Sequence, residues 1–159
     1  METEKAGGTH TSVRILVVDD YEPWHGFVST MLRNEPKLQI IGKASDGLEA
    51  VQQAQQLQPD LILLDIGLPK LNGIEAAHRI REVSPISKIL FVSETRSRDV
   101  AWEALRMGAG GYVVKSEAVS ELLPAVATVL QGKKFVSAAF EKQPNFQEGA
   151  KHSAAGRSY

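Results

Sequence analysis

Apolar residues along this chain alternate between short unbroken runs and longer stretches with helical spacing. Val13 to Val18, Leu61 to Leu64 and Lys88 to Val92 are runs rich in Val, Ile and Leu, the pattern of strands covered on both faces. Such strands belong in the middle of a sheet. Leu38 to Gly42 and Tyr112 to Val114 are shorter or more mixed and belong toward its two edges. Between the runs, Trp24, Phe27, Val28, Met31 and Leu32 form one helical stripe, and Val100, Ala101, Ala104 and Leu105 form a later one. The spacing predicts helices near residues 23 to 34, 47 to 57, 73 to 82, 97 to 107 and 117 to 131. Five strands alternating with five helices predict an α/β fold, a doubly wound parallel sheet with helices on both faces.

Turn and helix-end residues agree with these boundaries. Pro23 suits a first helical position, where its missing N–H costs nothing. Asn72-Gly73 is a turn signal before the third helix. Pro124 falls inside the last helix, removes a backbone bond there and should bend it.

Composition narrows the class. With 159 residues, 43% of them hydrophobic and 23% charged, the chain buries one core but not two. A net charge of -1 gives no electrostatic argument for nucleic acid or an anionic membrane. Without cysteine there is no disulfide framework, thiolate metal site or cysteine nucleophile. Neither a membrane span nor a secretory signal is visible, which points to the cytoplasm. The expected organisation is a flexible N-terminus over residues 1–11, one domain over 12–131 and a linker-like tail over 132–159. Gln143 to Ser158 is polar, rich in small residues and reads as disordered. From residue 133 onward five basic and two acidic residues offer too few phosphate contacts for useful nucleic-acid affinity.

The chemistry lies at strand ends. Asp19, Asp20, Asp65, Ser93 and Lys115 all fall at or just beyond the C-terminal end of an apolar run. Parallel strands bring those ends to one edge, where an open sheet places its ligand crevice. Three carboxylates, a hydroxyl and an ammonium can hold a divalent metal and accept a phosphoryl group.

Val17-Val18-Asp19-Asp20, Leu63-Leu64-Asp65-Ile66-Gly67-Leu68-Pro69 with Asn72-Gly73, Phe91-Val92-Ser93, and Gly111-Tyr112-Val113-Val114-Lys115 together resemble the response regulator receiver domain of two-component signalling. The resemblance covers residues 12 to 131, and Lys133 to Ser137 is similar to the segment that follows the receiver in NarL/FixJ-type regulators. It implies a flavodoxin-like receiver fold with strand order 2-1-3-4-5. It makes Asp65 the phosphoacceptor, with Mg2+ held by Asp20, Asp65 and the Gly67 carbonyl and by Asp19 through water. Lys115 would pair with Asp65 before reaction and with phosphoryl oxygens after it. Ser93 would turn toward the phosphoryl group and Tyr112 fill the vacated space, switching a partner surface.

The implied partners are a sensor histidine kinase as phosphodonor and an unidentified protein target. The fourth and fifth helices suit a homodimer or another partner equally. A NarL/FixJ-type regulator would continue into a helix-turn-helix domain, for which the chain has no room, so no DNA binding by this chain and no membrane contact are expected. Two other functions stay open: an Mg2+-dependent phosphohydrolase, and a receiver-like adaptor that acts without phosphorylation.

Ordinary readings compete at single residues. Asp65 could merely end a strand and Tyr112 could be edge packing, whereas capping of the first helix by Asp20 is expected to coexist with metal binding. The chain also departs from the family. Glu94 stands where a small residue usually follows the switch hydroxyl, and would crowd or repel an incoming donor. Ser116 stands where proline often follows the lysine, which leaves the isomer of that peptide open. Trp102 lies about 130° from the stripe of its helix, so it should face outward as a contact anchor. His10, His25, His78 and His152 have no metal-ligand spacing and read as non-catalytic.

Overall fold

The computed structural model describes residues 12–140. In chain order these form β1 (Val13–Val18), α1 (Glu22–Leu32), β2 (Leu38–Ala44), α2 (Gly47–Leu57), β3 (Leu61–Leu64), α3 (Gly73–Val83), β4 (Lys88–Ser93), α4 (Arg98–Arg106), β5 (Gly111–Val114), α5 (Ala118–Leu130) and β6 (Phe135–Val136). All neighbouring strands are parallel, in the order 2-1-3-4-5-6. The expected order therefore stands with one correction, a sixth strand on the free edge of β5. The expected domain end at residue 131 falls short as well. Residues 135–140 join the fold, and a 3-10 turn over Ala138–Phe140 buries Phe140. The flexible N-terminus and the disordered stretch from Gln143 lie outside the described residues.

Unbroken apolar strands are explained by two-sided covering. Leu16, Val18, Ile62, Leu64 and Phe91 pack on one side with Ala50, Ala76, Ala77, Ala101 and Ala104 of α2, α3 and α4. Ile15, Val17, Leu61, Leu63, Leu90 and Val92 pack on the other with Trp24, Val28, Leu122 and Val126 of α1 and α5. Side chains on successive strand residues point to opposite faces, so every position is needed. No helix among the described residues is long and apolar enough to cross a membrane.

Helix entries follow local chemistry. Asp46 accepts from the Glu49 N–H at 2.8 Å, and Asn72 accepts from Ile74 and Glu75. α1 has no side-chain cap, so the expected capping by Asp20 does not form. Instead Asp19 Oδ1 accepts from the Tyr21 N–H at 2.9 Å. α5 continues through Pro124, and the Lys115–Ser116 peptide is trans.

Candidate functional site

Strand register assembles the site. Val18 of β1 pairs with Leu64 of β3, so Asp19 and Asp65 leave the sheet side by side. Ser93 of β4 pairs with Val114 of β5, which places Lys115 on the same rim. One carboxylate oxygen from each of Asp19, Asp20 and Asp65 lies within 4.8 Å of the others. These residues, with Gly67, Ser93 and Lys115, line an open cleft of about 500 Å³. A second hollow at the other end of the sheet, lined by Arg81, Lys88, Lys133 and Lys134, contains none of the candidate residues.

Asp65 is 8% exposed and Asp19 is buried, whereas Asp20 is open to solvent. The Asp65 backbone is held from below: a Cβ on Gly73 would sit 2.0 Å from the Asp65 carbonyl oxygen, so only glycine fits there. Its Oδ1 accepts from the Ile66 N–H at 2.8 Å. Burial pushes the Asp65 carboxyl above its ordinary range; Lys115 opposes this, and the Asp19 and Asp20 charges add to it.

Lys115 Nζ lies 2.6 Å from Asp19 Oδ2 and 3.7 Å from Asp65 Oδ2. The pair with Asp65 is the one the resemblance implies, and Asp19 is a second, closer partner. Lys115 Nζ also stands 4.9 Å from the centre of the Trp24 ring, within cation–π range. His25 Nε2 donates to the Asp19 carbonyl at 2.8 Å. Reading the sequence missed both supports: Trp24 looked like core stripe and His25 like an idle histidine. Their nearness to Asp20 in sequence was the available signal.

Ser93 Oγ accepts from the Thr95 N–H at 3.3 Å, and the Tyr112 hydroxyl donates to the Thr95 carbonyl at 3.1 Å. Tyr112 is fully enclosed, between Phe91 at 6.4 Å and Phe140 at 5.6 Å between ring centres. Burial pushes its phenol up to about 12. Glu94 is exposed at the cleft rim. Trp102 is half-buried, with the Arg106 guanidinium 5.9 Å from its ring centre, so it is less open than its helical position suggested. His78 is exposed on α3, and His10 and His152 lie outside the described residues.

Three gathered oxygen ligands beside one ammonium can bind a hard cation and present Asp65 to an electrophile. A model of the response regulator receiver domain matches residues 15–127. The chain is 33% identical over 125 residues to the nitrate/nitrite response regulator protein NarL of Escherichia coli K12, covering 79% of this chain and 58% of that protein. It is 32% identical over 124 residues to the transcriptional regulatory protein DegU of Brevibacillus brevis, covering 78% and 52%. The chain thus spans little more than half the length of these two relatives. Among solved structures it is similar to a LuxR-family two-component response regulator from Aurantimonas, with TM-score 0.76, 26% identity and coverage of 91% and 99%. The response regulator domain of Thermotoga maritima CheB is similar with TM-score 0.70, 31% identity and coverage of 76% and 97%.

Proposed function

The chain belongs to the response regulator receiver domain family of two-component systems, and on that footing we propose that it accepts a phosphoryl group from a sensor histidine kinase onto Asp65. The observation that carries this reading is the set of three carboxylates within 4.8 Å, with the Lys115 ammonium 3.7 Å from Asp65. An Asp65 oxygen forms a bond to phosphorus as the bond from phosphorus to the donor imidazole breaks, and the imidazole nitrogen keeps the electron pair. The nucleophile must be ionised. Burial opposes ionisation and Lys115 favours it, so Lys115 keeps a buried carboxylate reactive.

The all-oxygen donor set fits Mg2+, which retains waters and needs few protein ligands. Asp20, Asp65 and the Gly67 carbonyl would hold it directly and Asp19 through water. Gly67 lines the same cleft as the three carboxylates. Bound there, the metal would neutralise charge on the transferring group. Ser93 donates to a phosphoryl oxygen, and turning its oxygen toward the cleft draws it from the Thr95 N–H and biases Tyr112. The output is a partner-binding surface that includes Trp102, facing an unidentified target or a second copy in the cytoplasm.

Titration with acetyl phosphate or beryllofluoride, with and without Mg2+, tests this. Stable, stoichiometric modification abolished by Asp65→Ala is expected. Rapid turnover would favour a phosphohydrolase, and no response would leave an adaptor that acts without phosphate.

A further inference from the structure

We propose that the hollow at the end of the sheet opposite Asp65 binds a small organic phosphate, held by Arg81, Lys88 and Lys133. None of the residues that line the cleft around Asp65 lines this hollow, so the site is independent of the phosphoacceptor reading.

Two glycines in left-handed conformation shape it. Arg81 lies in the last turn of α3, and its Nη1 donates to the Met107 carbonyl at 2.9 Å. Gly108 makes room for that reach: a Cβ there would sit 2.2 Å from Nη1, and its φ of +100° suits glycine alone. Gly132, at φ +84°, turns the chain out of α5 and brings Lys133 and Lys134 to the same hollow. Lys134 Nζ donates to the Ala109 carbonyl at 2.5 Å. The result is a space of about 300 Å³ with four cationic side chains and no Asp or Glu in its lining.

Cations near helix C-termini have an ordinary use, because the last carbonyls of a helix lack backbone partners and carry partial negative charge. That use accounts for Arg81 and Lys134, which bond to carbonyls just beyond α4. It does not account for the other two. Lys88, at the start of β4, and Lys133 have side chains without a hydrogen bond or ion pair among the described residues. Arg81 and Lys134 keep further N–H groups free beyond those two bonds. Like charges gathered on one concave wall repel unless an anion sits among them.

Size and apolar lining narrow the anion. A space of about 300 Å³ is at the small end of ligand pockets, and a phosphate accepts from several cationic donors at once. Pro85, Ile86 and Val129 share the lining, and Ile86 is 64% exposed. A bare inorganic ion would leave that apolar surface wet, whereas a compact apolar body carried by the phosphate would cover it. Nucleic acid would need a stripe of cations along a face, and these four share a single concavity.

The full chain, kept in chelator so that the cleft holds no metal, is titrated with phenyl phosphate and with inorganic phosphate while backbone amides are followed by NMR. Saturable shifts are expected at Ser87, Lys88, Gly108 and Lys133, with a Kd of about 1 mM or tighter for phenyl phosphate and several-fold weaker for inorganic phosphate. Lys88→Gln combined with Lys133→Gln should weaken phenyl phosphate about tenfold, and Asp65→Ala should bind it as wild type does. The absence of saturable shifts up to about 10 mM, or shifts that potassium chloride reproduces at equal ionic strength, overturns the site. So does an affinity unchanged in the double variant, or one lost in Asp65→Ala, which would place the anion in the cleft. Inorganic phosphate binding as tightly as phenyl phosphate overturns the assignment of an organic ligand. Should the double variant fail to fold, Lys133→Gln alone decides the outcome.

Discussion

Replacing Asp65 by asparagine is expected to stabilise the metal-free protein at neutral pH. The carboxylate is 8% exposed, and burial is the largest cause of its raised pKa, ahead of the opposing pull of Lys115 and the repulsion from Asp19. With an effective dielectric near 20, an ammonium at 3.7 Å attracts by about 4 kcal/mol. A carboxylate within 4.8 Å repels by at least about 3 kcal/mol on the same scale. The two nearly cancel, and the desolvation of Asp65 is left uncompensated. At a cleft mouth this leaves about 1 to 2 kcal/mol, or a melting temperature raised by roughly 3 to 8 °C.

The sign depends on pH. Because folding raises the Asp65 pKa, its contribution to stability is fully present below the ordinary carboxylate range and is lost as pH rises through the raised value. Wild type and Asp65→Asn should therefore converge in acid and separate at neutral pH. Urea denaturation from acid to neutral pH in chelator measures the gap. Added Mg2+ should close it, since a ligand at a hundred times its Kd stabilises the native state by about 2.7 kcal/mol. A variant less stable than wild type at neutral pH without metal would refute the reasoning.

Glu94→Ala should speed modification by small donors such as acetyl phosphate, because an exposed carboxylate leaves the rim of the cleft; equal rates would remove the idea. Trp24→Leu removes a cation–π contact worth roughly 1 kcal/mol, so beryllofluoride affinity should drop about fivefold while Trp24→Phe largely preserves it. Equal affinities in all three proteins would mean that the ring does not help hold Lys115. Gly73→Ala places a methyl 2.0 Å from the Asp65 carbonyl and 2.7 Å from the Ile66 Cα, both backbone atoms that cannot swing aside. It should cost about 2 to 3 kcal/mol by overpacking, and denaturation indistinguishable from wild type would contradict that crowding.

Strand ends were the legible part of the site. A strand buried on both faces needs apolar residues without interruption, so the first carboxylate after Val18 or Leu64 marks both the end of the strand and the cleft. Side-chain reach was not legible. Nothing in the spacing says whether Lys115 stops at Asp19 or at Asp65, because a flexible four-carbon stem reaches both. Phe135–Val136 was missed because two residues carry no period. Glu121 carried no signal at all, since a charged side chain is seldom buried unless paired and its partners, Ser137 and Ala138, lie beyond the expected domain end. Trp102 shows the limit of a helical projection: Arg106, one turn on, covers a ring that the angle alone left in solvent.

A switch needs two states within a few kcal/mol of each other and an input that distinguishes them. At the cleft the input is soft. Lys115 stands between two acceptors at 2.6 and 3.7 Å, so a small displacement of its ammonium trades one carboxylate for the other. Behind the cleft the material is stiff. Tyr112 is fully enclosed, and close-packed interiors change between discrete arrangements more readily than they deform continuously. Ser93 and Thr95 join the two regimes, with each offering one backbone or hydroxyl group to the next residue. On the proposed reading, a change in charge at Asp65 too small to move the sheet is converted into the choice of whether the Tyr112 ring has a wall to pack against.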